Sequence, residues 1–205
     1  MAVSGVWLYG VAMAHARDES APRPDSGHVR FRDLDALVRP GADGRAPCTP
    51  AELRQYAQVV DAAFQRGAVV PAPCGTVFRS AEHLRQWLTE NYIALAEGLH
   101  FVAGRCETRI HVMPREGGAS APAGTELASA AAECFRRLRR LAVASLPVRG
   151  DPARPELCAA FLVDRRGWDR FSSRVRAERE RQDALAVMQT GPWPPYDFVR
   201  LDFGA

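Results

Sequence analysis

The order of periodic segments from Glu107 onward constrains this 205-residue chain more than any other feature. Glu107–Met113 (ETRIHVM) reads as a strand. Thr125–Ala144 reads as a helix, because Leu127, Ala131, Cys134, Leu138 and Leu141 recur at alternating spacings of four and three. A short strand is expected around Leu146–Arg149, and Leu157–Asp164 (LCAAFLVD) carries the strongest strand signal in the sequence. Trp168, Phe171, Val175 and Leu185 mark a second helix, with Arg174–Glu178 and Arg176–Glu180 pairs expected on its exposed side. Strand character returns at Ala184–Thr190. The order β-α-β-β-α-β is that of a ferredoxin-like domain.

The first half carries its own set of elements. Val6–Met13 reads as a buried strand, and His28–Leu37 alternates apolar and polar residues as a strand or hairpin edge. Ala16–Gly27 and Gly41–Pro47 read as loops. Thr49-Pro50-Ala51-Glu52 is a helix start: Thr49 can cap, Pro50 suits the first helical position, and Glu52 can complete a capping box. Leu53, Tyr56, Val60 and Phe64 then predict one apolar stripe, ending at Gly67. Ala68–Val70 is a short buried strand. Ser80 caps a further helix, whose predicted buried face is Leu84, Trp87 or Leu88, Tyr92, Leu95 and Leu99. The chain is long enough for two domains of about 100 residues each. The expected division is an N-terminal α+β domain over 1–103 and a ferredoxin-like α+β domain over 104–205, meeting near Phe101–Cys106.

Composition narrows the function. Hydrophobic residues make up 47% and charged residues 25%, the balance of a folded globular chain. All 27 basic residues are Arg, so Schiff-base and P-loop lysine chemistry is excluded. The net charge of +3 does not call for nucleic acid, and the Arg136, Arg137, Arg139, Arg140 cluster reads as a solvated helix face. Five cysteines, at 48, 74, 106, 134 and 158, lie 24 to 32 residues apart. That odd, sparse set fits neither a zinc site nor a dense disulfide framework, and predicts reduced, mostly buried thiols. Val3–Met13 followed by Ala14-His15-Ala16 superficially resembles a signal peptide. No positive charge precedes it and Gly5, Trp7, Tyr9 and Gly10 interrupt it, so the expectation is a cytoplasmic protein. No apolar stretch has the length of a membrane span. The five histidines, at 15, 28, 83, 100 and 111, lack HExxH-type partners, and no G-x-S-x-G, G-x-G-x-x-G or P-loop occurs. Gly117-Gly118 reads as a linker. The expected sites are therefore none catalytic, none for cofactor and none for metal.

Two segments stand out. PAPCGTVF (71–78) places a glycine between a strand and a capped helix, where the backbone turns sharply. GPWPPYDFV (191–199) packs three prolines and three aromatics into nine residues. Prolines stiffen it, and exclude it from a central strand because they cannot donate ladder hydrogen bonds. Trp193, Pro194, Pro195, Tyr196 and Phe198 are the candidates for partner binding or tail docking. A tail folded back over its own domain and an exposed binding arm both fit this composition.

These segments carry a resemblance. GPWPPYDFV is similar to the tail signature of the gas vesicle protein F/L family, which usually reads GPWPPYSFV. PAPCGTVF resembles that family's PxRFGTVF, WLYGV (7–11) its opening strand, and AAFLVDR (159–165) its central C-terminal strand. The likeness runs from Trp7 to Val199. It departs at Pro73 and Cys74, where the family usually has Arg and Phe, so any role of that Arg is absent. Asp197 replaces the usual Ser, and the stretch before Thr49 is short. The resemblance implies an N-terminal α+β domain, a modified ferredoxin-like C-terminal domain and no catalytic residues. It further implies a non-enzymatic assembly factor that binds the hydrophobic shell protein and other accessory proteins in the cytoplasm and at the gas vesicle. The competing expectation, from fold analogy alone, is a small-ligand-binding or regulatory ferredoxin-like module.

Overall fold

A computed structural model describes residues 5–14, 27–41, 48–115, 124–150, 156–181, 184–199 and 201. The expected loops at 16–27 and 41–47 fall almost wholly outside the described residues, and Gly117-Gly118 lies outside them. The protein is a mixed α+β chain with two antiparallel sheets and two compact units, Met1–Ala103 with Pro194–Ala205, and Gly104–Trp193.

The first unit is built around β1 (Gly5–Met13), which pairs with three other strands. The hairpin β2 (Gly27–Phe31) and β3 (Leu34–Gly41) flanks it, and β4 (Val69–Pro71) and β5 (Val77–Phe78) pair along its other side. A bulge between Leu8 and Gly10 shifts the register of β1 against β3. Leu8 and Val11, three residues apart where a regular strand would need an even spacing, consequently share one core. Helix α1 (Pro50–Arg66) starts as its residues dictate. The Glu52 N–H donates to Thr49 Oγ1 at 3.3 Å, and the Thr49 N–H donates to Glu52 Oε2 at 2.9 Å.

Three expectations for this unit are corrected. The stripe of α1 is carried by Tyr56, Val59, Val60, Ala63 and Phe64, while Leu53, one turn before it, is 51% exposed. The single helix expected through Leu99 is two, α2 (Ala81–Glu90) and α3 (Tyr92–Val102), broken at Asn91. There the Trp87 carbonyl accepts both the Asn91 N–H at 3.0 Å and the Asn91 side-chain amide at 2.9 Å. Leu84, Trp87, Leu88, Leu95, Leu99 and Val102 still meet in one core with the sheet. Finally, Cys48 and Cys74 are joined in a disulfide, with Cα atoms 6.0 Å apart, and are not reduced thiols. Cys106, Cys134 and Cys158 are buried thiols outside this disulfide.

The second unit has the ferredoxin-like arrangement. Its elements are β6 (Arg105–Pro114), α4 (Thr125–Arg139), β7 (Ala144–Val148), β8 (Leu157–Asp164), α5 (Trp168–Arg181) and β9 (Leu185–Trp193). The sheet order is β7-β8-β6-β9, with every pair antiparallel. Ile110, Val112, Phe161, Val163 and Val187 face Leu127, Cys134, Leu138, Phe171 and Val175 of the two helices. The edge strand β7 carries Pro147, which cannot donate to a further strand.

Two charge expectations are overturned here. Glu178 is fully buried, not on an exposed face. Arg137 donates to it at 2.9 Å and Arg174 lies 3.2 Å from it, while Arg137 also pairs with Glu133. Arg137 is thus part of an interior ion network, whereas Arg136, Arg139 and Arg140 are exposed. A carboxylate taken out of water needs such donors, and α4 supplies one from a residue 41 positions away.

Candidate functional site

The Pro/aromatic segment begins as the last residues of β9. Gly191–Trp193 extend that strand on the sheet edge, where missing proline N–H groups are tolerated. The Gly191–Pro192 peptide is cis and Gly191 has φ +115°, and a Cβ there would lie 2.9 Å from the Glu107 carbonyl oxygen. Only glycine fits that position. The chain then leaves the second unit. Pro194 and Pro195 are buried, and the Tyr196 N–H donates to the Pro194 carbonyl at 2.8 Å.

From Pro194 on, the segment docks on the first unit, not on the second as a division at 104–205 would have it. The Tyr196 ring meets Tyr56 of α1 at 6.3 Å between centroids, and Tyr56 meets Tyr9 of β1 at the same distance. The Tyr56 hydroxyl donates to the Ala72 carbonyl at 2.6 Å. Burial pushes the Tyr56 phenol well above its ordinary pKa, and Tyr196 adds to the shift. It therefore stays a neutral donor. Val199 and Leu201 pack against the first core. A Cβ on Gly98 of α3 would stand 2.8 Å from Val199, so this glycine lets the segment close onto the helix.

The five candidates are thereby divided. Pro194 and Pro195 are buried, Tyr196 and Phe198 are half-buried, and Trp193 is 43% exposed at the end of β9. The residues that sequence reasoning missed are the receivers, Tyr56 and Gly98, together with Val199. Gly98 inside a helical pattern was the one available signal, since an isolated helix glycine often marks close packing.

The second notable segment, 71–78, turns as expected. Gly75 has φ +89°, the Thr76 N–H donates to the Pro73 carbonyl, and the Leu8 N–H donates to the Thr76 carbonyl at 2.9 Å. Cys74 of this turn is the residue joined to Cys48.

Elsewhere, strand register sets His111 opposite Cys158. The imidazole Nε2 is 3.9 Å from the sulfur, and Nδ1 is 3.6 Å from Glu156 Oε2. His111 thus lies within hydrogen-bond reach of the Cys158 sulfur and within ion-pair reach of Glu156. Among the described residues, no three His, Cys, Asp or Glu side chains are grouped to hold a metal ion. No described helix is long and apolar enough to cross a membrane.

The sequence profile described as "Gas vesicle synthesis protein GvpL/GvpF" matches residues 5–127 and 119–200. The chain belongs to the GvpL/GvpF family. Gas vesicle protein F2 of Halobacterium salinarum is 27% identical over 214 residues, covering 100% of this chain and 96% of that protein. Gas vesicle protein F of Haloferax mediterranei is 30% identical over 139 residues, 67% of this chain and 62% of that protein. The fold is that of the crystal structure of GvpF from Anabaena sp., with a TM-score of 0.79 at 17% identity over 97% of this chain and 99% of that one. GvpF from Microcystis aeruginosa gives 0.74 at 16% identity, over 97% and 100% of the two chains. In this GvpL/GvpF member the segment from Pro194 is docked on the first unit, and Trp193 before it is 43% exposed.

Proposed function

We propose that this GvpL/GvpF member is a non-enzymatic accessory protein of gas vesicle assembly. It acts in the cytoplasm and at the growing vesicle by binding the hydrophobic shell protein and other accessory proteins. Family membership over residues 5–200 supports the role in assembly. The observation that carries the binding step is Trp193, a large aromatic side chain left 43% exposed beside two buried prolines. A tryptophan held at the start of a stiff, anchored segment loses little entropy when it meets a partner, and tryptophan is among the strongest contributors to interfaces. A shell subunit with a large apolar surface must be shielded before it polymerises. Trp193 offers a rigid apolar contact of that kind. Coexpression with the shell protein, followed by affinity capture of this chain, tests the reading. The shell protein should be retained through a salt wash that removes electrostatic contacts, and its absence from the captured material would refute the proposal.

A further inference from the structure

Cys48 is exposed and directly precedes Thr49, the cap of α1, while Cys74 is half-buried in the turn after β4. Their bond spans 26 positions of sequence that include all of α1 and β4. The other three cysteines are shut away. Burial lifts the Cys106 and Cys134 thiols to about 11, so little reactive thiolate is present there, and Cys158 is 6% exposed. Reagents in solution therefore meet one sulfur pair. Ala72, two residues before Cys74, accepts the Tyr56 hydroxyl, and the Tyr56 ring receives Tyr196 of the C-terminal segment. The disulfide thus clamps α1 to the same stretch of backbone that fixes the seat of the tail.

We infer that Cys48–Cys74 is a reversible thiol–disulfide clamp that sets how firmly the C-terminal segment docks on the first unit. One thiolate of a cellular dithiol reductant attacks one sulfur of the pair, forming a mixed disulfide and releasing the other cysteine as a thiolate that takes up a proton. The second thiol of the reductant then displaces the remaining cysteine. The chain gains two electrons and two protons, and the dithiol becomes a disulfide. A cytoplasmic location, which rests on the proposed function, makes an accessible disulfide a transient and regulatory bond. The exposure and the geometry do not depend on that location.

The test uses the full chain alone, so it can fail independently of any shell-protein binding. Oxidised and dithiothreitol-treated protein are alkylated natively with iodoacetamide, and in parallel cut with limiting chymotrypsin. Treatment should make Cys48 and Cys74 alkylatable while Cys106, Cys134 and Cys158 stay unmodified. Cleavage after Tyr196 and Phe198 should become at least ten times faster, with the sites of the second unit, Gly104–Trp193, unaffected. A C48S/C74S variant should be cut at the faster rate with or without the reductant. Equal tail cleavage in both redox states would overturn the clamp, as would acceleration at sites throughout the chain, which would make the bond a general staple. Failure of the pair to oxidise in the folded protein would overturn it too.

Discussion

The two units close a helix-backed antiparallel sheet by different means. The second is made from one continuous stretch, β6 to β9, and buries a carboxylate, Glu178, among the guanidinium groups of Arg137 and Arg174. The first takes Val199 and Leu201 from the far end of the chain into its core and is stitched by Cys48–Cys74. A unit completed by its own stretch of sequence can be read from that stretch. A unit that borrows residues depends on whatever holds the borrowed segment in place. The first unit accordingly joins residues from two distant parts of the chain.

The largest effect that would sharpen this contrast is Glu178→Ala. Removing one member of a buried ion network leaves charge uncompensated and should cost about 3–5 kcal/mol. In denaturation followed by hydrogen exchange, the loss should fall on residues 104–193. An equal loss in the first unit would break the contrast. The next is Cys48→Ser with Cys74→Ser. For a loop of this length, chain entropy puts the bond at about 3.5 kcal/mol, and the loss should appear in the first unit while β8 keeps its protection. Smaller again is Val199→Ala, which removes two methyl groups from a half-buried contact with Gly98. It should cost about 1 kcal/mol, measured by urea denaturation, again in the first unit. A neutral result would mean that the C-terminal segment lies on that core without supporting it.

Much of the second unit was legible because its core positions repeat locally. Leu127, Ala131, Cys134 and Leu138 announce α4, and LCAAFLVD announces β8. The burial of Glu178 was not legible. An Arg174–Glu178 pair four residues apart looks the same whether it faces water or the interior, and the deciding partner, Arg137, comes from another helix. In the first unit the break at Asn91 was hidden, because Leu88 and Leu95 are seven residues apart, the spacing a continuous helix would also show. The disulfide was hidden for a different reason. Two isolated cysteines carry no sign of contact until β1 and the 71–78 turn bring the strands of the first unit together. For the tail, composition singled out the segment correctly but could not say which of its side chains turn inward. Tyr196 does so by finding Tyr56, while Trp193 is still on the sheet edge and exposed.

That division of the tail leads to the measurement closest to the central claim, a titration of the shell protein onto the wild-type chain and its Trp193→Ala variant, with thermal melting of both. Trp193 is 43% exposed, so melting should shift by the equivalent of about 1–2 kcal/mol, less than the loss of a fully buried tryptophan. Binding should weaken by about 2 kcal/mol, roughly 30-fold in dissociation constant. Unchanged affinity, with the variant still folded, would contradict the proposal that Trp193 is the contact through which this GvpL/GvpF protein holds its partner.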